Sequence, residues 1–439
     1  MKKNKLINGT KLIVVAVLLF FSSCSNEEYD ETLNSNQTET QVTNGIEITE
    51  VIAKEVALNF YNRSYRSGSN LSRAQASRVT STDVILDFNN QPAMYAVNIE
   101  PNGFVLVTSN SKNVPIAGHS ETGTFEFNEN SPDGMKSWIA ENIVFNDLLE
   151  ARAPIEEVED QWNALYRLPY PPDEEDGDGD GEGGGGGGDT GYTVRYSHTE
   201  NEQTGPLMQT SWDQRLPYNL YTPNNNPTGC VAVATAQIMR YHEWPNTFNW
   251  NIMPDDPGYY STSAGTLGIV SLMADIGTNV DMEYSASVSG AYSEDARDAL
   301  VNDYGYASTA SYSSYNFSTV KQEIERYNRP VYMDGSHSYE THGTWFWEYT
   351  TYHDGHAWVC DGYKQQYDVY IHNEGTQYEY TTQKNRYEWL FMNWGWRGSG
   401  NGWFYKNHIW INGVSISVDG TSVHPNFQYN RNCIYRIKP

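Results

Sequence analysis

Four cysteines in 439 residues, Cys24, Cys230, Cys360 and Cys433, are too few and too scattered for a disulfide framework or a zinc ribbon. Basic residues are scarce too: Lys+Arg 28 stand against Asp+Glu 55, a net charge of −27. A nucleic-acid binder needs a basic footprint to displace counterions, and docking on anionic lipid needs one as well, so neither is the general function. Long apolar runs are missing apart from Leu12 to Phe21, which is too short for a stable membrane span. Global disorder is excluded by what is abundant. Aromatic residues reach 14%, with Tyr 33 and Trp 13, and apolar residues reach 38%, enough for a sizeable core.

Lys2, Lys3 and Lys5 precede the apolar run, and Ser22-Ser23-Cys24 follows it. A basic head, a short apolar stretch and small residues at the end describe a secretory signal over residues 1–23. Cys24 resembles the lipidated cysteine of a bacterial lipobox, with Phe21 where leucine is usual; an ordinary cleaved signal is the alternative. Glu27, Glu28, Asp30 and Glu31 behind it resemble the surface-export signal of Bacteroides-type lipoproteins, or form a plain solvated tether. The expectation is an exported lipoprotein of the outer membrane or cell surface, touching the membrane only through a lipid at Cys24.

After a polar tether (24–44), residues 45–168 read as a compact α+β unit. Ile52, Val56 and Phe60 share one helix face. Val84–Phe88, Met94–Ile99 and Phe104–Thr108 read as a small antiparallel meander, and helical stretches near 134–151 and 155–168 close the unit. Residues 169–204 read as an acidic, glycine-rich linker holding the activation site. Asp178, Asp180, Glu182 and Asp189 do not meet a calcium-loop template, because the pattern after Gly183 is all glycine. Residues 205–439 form the larger domain: a helix over Cys230–Glu243, then aromatic strands at Trp345–Tyr352, Ala357–Tyr363, Trp389–Trp394, Trp403–Tyr405 and Cys433–Ile437. A helix followed by a sheet is α+β order.

Val, Ala and Thr around Cys230 predict a buried central helix, and Cys230 falls in its first turn. Unpaired N–H groups and the macrodipole there favour a thiolate, the competent nucleophile; a structural cysteine is the equal alternative on these residues alone. Asp354-Gly355-His356 supplies a base, with glycine predicted to lead a loop into the strand that begins at the imidazole. His353, His356 and Cys360 have zinc-like spacing but lack a compelling fourth ligand, so neither metal nor cofactor is expected. Asn393, ahead of Trp394-Gly395-Trp396, offers a side-chain oxygen for the imidazole N–H; an aromatic turn without chemistry fits the same residues.

Taken together, several stretches resemble streptopain-like secreted cysteine peptidases, a papain-fold family. They are Trp212-Asp213-Gln214 with Pro217-Tyr218-Asn219, then residues 228–245, 248–254, 272–277, 280–284, 355–363 and 392–398, in family order. Ala53–Phe60 and Pro101–Phe125 resemble that family's inhibitory prodomain. The resemblance implies a zymogen that cleaves peptide bonds through a thioester on Cys230, with His356 as base and acid and Gln214 in the oxyanion hole. It leaves Asn393 and Trp394 both open as support for His356, because papain relatives place one residue between Asn and Trp. Asp334 stands where streptopain carries glutamine, and the loop 335–355 is longer, so Asp334, Gly355 and Trp396 are expected at the substrate. The expected partners are protein or peptide substrates and the chain's own prodomain. A Cys-His cell-wall amidase or transglutaminase, and a dead surface protein gripping glycans, are the rival readings.

Overall fold

The computed structural model describes residues 46–66, 77–87, 89–128, 131, 135–136, 138–139, 142–143, 146, 149, 155–166, 194–342, 349–406, 416–418, 421–423 and 431–439. The signal, Cys24, the tether and the glycine run lie outside them.

Helix α1 (Glu50–Arg66) carries Ala53, Val56, Ala57, Phe60 and Tyr61 at helical spacing, and all five are buried. They pack on one face of a meander made of β1 (Arg78–Leu86), β2 (Pro92–Glu100), β3 (Phe104–Thr108) and β4 (Ile116–Ser120). In β3 the residues alternate: Val105 and Val107 join α1, while Phe104 and Leu106 meet Trp138, Ile139 and Ile143 on the opposite face. Both faces are therefore covered, which explains why β3 is apolar from Phe104 to Val107 and buried along its whole length. Helix α2 (Glu156–Leu165) adds Val158, Trp162 and Leu165 to the α1 side.

The larger part contains β5 (Val194–Thr204), α3 (Cys230–His242), α4 (Ala264–Asn279), α5 (Ser293–Asn302), β6 (Ser311–Ser314) and α6 (Phe317–Tyr327). There follow β7 (Val331–His342), β8 (Tyr349–His372), β9 (Tyr380–Asn393), β10 (Gly402–Tyr405), the paired β11 (Ile416–Val418) and β12 (Thr421–Val423), and β13 (Asn432–Tyr435). Small side chains let α3 approach its neighbours closely. Every residue from Val231 to Met239 is buried, against Ile269, Leu272, Met273 and Ile276 of α4 and Tyr332, Ala357, Val359 and Ile434 of the sheet. Burying each valine or isoleucine here contributes about 1.5–3 kcal/mol relative to exposure. Glu243, in the left-handed region, ends the helix as its N–H turns back to Met239 and Arg240.

One eleven-stranded antiparallel sheet runs β1-β2-β3-β4-β10-β9-β8-β7-β13-β6, with β5 beside β8. The meander is thus not a separate sheet: β4 pairs with β10, His119 opposite Trp403. Two expectations change here. Residues 335–342 and 349–355 are not loop but strand, in which β7 and β8 stay in register from Val331↔Cys360 to His342↔Tyr349, while 343–348 lie outside the described residues. The last eleven residues of the expected linker are β5, paired to β8 from Val194↔His372 to Thr204↔Tyr363. Residues 167–193 lie outside the described residues.

Candidate active site

The turn into α3 admits only glycine. Gly229 has φ +88°, and a Cβ there would sit 2.6 Å from Met282 Sδ and 3.1 Å from the Ser289 carbonyl oxygen. One residue earlier, the Thr228 N–H donates to the Gln214 carbonyl at 2.9 Å, which stitches the segment 212–214 beside the start of α3. Cys230, half-buried at that start, lies next to Tyr332. Burial drives the fully enclosed Tyr332 hydroxyl well above its ordinary pKa, and the charges of Asp334 and Cys230 push the same way. That hydroxyl shares a 2.9 Å hydrogen bond with Ser293 Oγ at the head of α5.

His356 is 3% exposed and sits in the middle of β8, opposite Gly335, rather than at a strand start as expected. A strand interior holds an imidazole more rigidly than a loop junction. Nε2 lies 3.0 Å from the Trp394 carbonyl oxygen. A carbonyl only accepts, so Nε2 carries its hydrogen and Nδ1 is the nitrogen that can exchange a proton. Trp358 stacks at 13° and 6.2 Å, and Trp396 meets the ring edge-on at 6.2 Å.

The structure thus brings Trp394 to His356 through its backbone and turns Asn393 elsewhere. The Asn393 amide donates to the Thr210 carbonyl at 2.8 Å, and its oxygen takes Gly395 N–H at 3.2 Å and Gln237 Nε2 at 3.4 Å. Gln237 in turn accepts from Trp212 N–H at 3.3 Å. This fully buried α3 glutamine therefore ties together the helix bearing Cys230, the segment bearing Gln214 and the loop holding His356. Sequence reasoning passed over it, although a long polar side chain inside a helix of Val, Ala and Thr was the signal. Gly395, at φ +69°, completes the joint: a Cβ would stand 3.0 Å from Val233 Cγ1.

Gln214 is buried, and its N–H donates to Asp213 Oδ1 at 2.6 Å. Burial raises the Asp213 carboxyl against the opposing pull of Arg397, whose Nε is 3.7 Å from Asp213 Oδ2. Arg397 also covers the Tyr259 ring at 3.8 Å. Asp213, Arg397, Tyr259 and Trp396 line a cleft of about 490 Å³ together with Thr122, Gly123 and Thr124. Gly355 is exposed beside His356. Asp334, one register step away opposite Ala357, takes Asn432 Nδ2 at 3.4 Å, and burial raises its carboxyl. Cys360 and Cys433 are fully buried, with thiols pushed up by burial, Cys433 to about 12. A half-buried thiol at a helix start and an imidazole held by a backbone carbonyl are groups that acyl transfer can use.

The Peptidase C10 family matches residues 212–247 and 246–404, and the Spi protease inhibitor family matches 46–142. A streptopain of Streptococcus pyogenes is 25% identical over 414 residues, 80% of this chain and 83% of that protein. The thiol protease/hemagglutinin PrtT of Porphyromonas gingivalis is 26% identical over 246 residues, 48% of this chain and 24% of that one. In fold, a prointerpain A fragment of Prevotella intermedia is similar at a TM-score of 0.50 and 17% identity, over 82% of this chain and 100% of that one.

Proposed function

We propose, from the premise that the chain is a streptopain-like cysteine peptidase of the Peptidase C10 family made with an inhibitor-type prodomain, that Cys230 and His356 form its catalytic pair. The observation that carries this reading is the 3.0 Å bond from His356 Nε2 to the Trp394 carbonyl, which leaves Nδ1 for proton transfer. In the acylation step the Cys230 thiolate attacks the peptide carbonyl carbon. The negative charge that develops on its oxygen is met by the Cys230 N–H and the Gln214 side-chain amide. His356 Nδ1 gives its proton to the departing nitrogen, the C–N bond breaks and a thioester remains. Water then attacks the thioester, Nδ1 takes its proton, the C–S bond breaks, and the thiolate and carboxylic acid separate. Trp396, Gly355 and Asp334 line the substrate's path, and Asn393 positions the loop that carries the Trp394 carbonyl.

The reading is tested by a peptidyl thiol-directed irreversible inhibitor on the processed enzyme. Mass spectrometry is expected to find one label per chain, on Cys230, because burial keeps the Cys360 and Cys433 thiols protonated and out of reach. Labelling at Cys360 instead of Cys230 would defeat the assignment. Gln214→Ala is expected to lower kcat by about 10²-fold with a smaller change in KM, as for the loss of one oxyanion donor. A rise in KM alone would make Gln214 a substrate contact.

The chain is made for export, its signal occupies residues 1–23, and a lipid on Cys24 holds the prodomain (45–168) at the outer membrane or cell surface. The catalytic domain (205–439) is freed when the glycine-rich joint is cut. Wild-type enzyme added to membranes bearing the Cys230→Ala chain should move the catalytic domain into the soluble fraction. Its retention in the pellet after complete cleavage would contradict release.

A further inference from the structure

The seam between the prodomain and the catalytic sheet contains a histidine that no step of catalysis uses. His119 in β4 is fully buried where β4 pairs with β10, opposite Trp403 and beside the Gly118↔Phe404 pair. Its ring lies 4.9 Å from Phe60 and 5.6 Å from Tyr65, both of α1, and 4.8 Å edge-on from Trp389 of β9. The Tyr65 hydroxyl bonds Nδ1. Nε2 is buried and has no hydrogen-bond partner among the described residues. Whichever way the Tyr65 bond runs, protonation would place a charged, unsatisfied N–H inside an aromatic box.

We infer that His119 is an acid-sensitive latch: its protonation opens the β4–β10 seam and loosens the prodomain from the catalytic sheet. The groups facing it supply no counter-charge of their own element. From β8 comes Lys364, 4% exposed, with its ammonium 4.7 Å from the Tyr65 ring centre and 5.9 Å from that of Trp403. From β9 come Trp389 and the stacked Tyr387, from β10 Trp403, and from β3 the apolar Val105. On α1, Tyr61 packs against Tyr65, while Arg63 is spent on Asp368 and Thr199. Glu121, just past β4, is exposed and acts on Tyr65 and Lys364.

Burial first, and Lys364 second, hold His119 well below the ordinary histidine pKa while the seam is closed. The closed seam therefore binds fewer protons than the open one. Its stability is complete above pH 6.5, the ordinary value, and falls as the pH drops below it, at up to about tenfold per pH unit in the opening equilibrium. Lys364, lowered to about 8 by burial, stays charged throughout that window and adds no slope there. The latch itself stands on the seam geometry; only its consequence, easier activation in acid, rests on the prodomain reading.

The test is amide hydrogen exchange on the full-length Cys230→Ala chain between pH 7.5 and 5.0, corrected for intrinsic rates, with α4 as internal reference. Protection in β4 and β10 should fall about fivefold between pH 6.5 and 5.5 while α4 holds. His119→Phe, an aromatic of similar shape, should flatten that dependence. Side-chain C2–H exchange of His119 in the unmodified ring should be far slower than that of exposed His198, and this readout stands even where His119→Phe does not fold. Seam protection independent of pH, loss shared equally by α4, an unchanged slope in His119→Phe, or C2–H exchange as fast as that of His198 would each overturn the latch.

Discussion

Cys230→Ala is expected to abolish peptide hydrolysis, by roughly 10⁴-fold or more, while the protein still folds. The size follows from the reaction: without sulfur no thioester forms, and a positioned imidazole and an oxyanion hole alone recover only a small part of the acceleration. The fold survives because Cys230 is half-buried and packs at the edge of the core rather than in it. Alanine is also the best residue for a helix turn, so truncation there costs on the order of 1 kcal/mol. Fluorogenic peptide assays alongside thermal melting separate the two effects. Thiol-dependent cleavage near the wild-type rate, with Cys230 gone, would sink the nucleophile assignment.

The second large effect belongs to His356→Ala, expected to cost roughly 10³-fold or more in kcat. Its informative partner is Asn393. Support for the imidazole comes from the Trp394 carbonyl, which no side-chain exchange at 393 deletes. Asn393→Ala breaks the bonds to Thr210 and Gln237 instead, so it should let the loop drift, at about tenfold in kcat and with a lower melting temperature. If Asn393→Ala proves as damaging as His356→Ala without loss of stability, the amide itself touches the chemistry.

Why Cys230 and His356 stand out in the sequence as candidates, while the support of His356 stays open between Asn393 and Trp394, is a matter of which atoms are involved. A thiol and an imidazole are unique to their residue types. Small residues on every face of 231–239 announce a buried helix, and a glycine before it marks the turn that only glycine can make. A backbone carbonyl belongs to every residue, so the sequence leaves Asn393 and Trp394 both open as support for His356, and only the fold brings the oxygen of Trp394 to the ring. The strands rich in aromatics were found for the same reason as the helix: their side chains are buried. The strand residues 336–342 and 364–372 and the whole of β5 were not, because Ser, Thr, Tyr and charged residues fill them, and β5 is mostly exposed along its length. Their order comes from pairing with a distant partner, which leaves no local period to read. The join of β4 to β10 escaped on the same ground.

Strand β5 also decides what the finished enzyme is. It lies along β8 from Tyr363 to His372, on the edge that β9 does not cover, and prodomain Arg63 bonds Thr199 from above. A paired strand offers a protease no slack chain, so an activating cut is expected upstream of Val194. A peptidase cut there would keep these residues as an N-terminal selvedge, a woven border that stops the sheet from fraying. Recombinant enzyme begun at Gly205 would bare the outer half of β8, a row of free N–H and C=O groups open to the next molecule. Such a shortened protein should self-associate where one begun before Val194 stays monodisperse, and mass spectrometry of the naturally processed form should find 194–204 still attached.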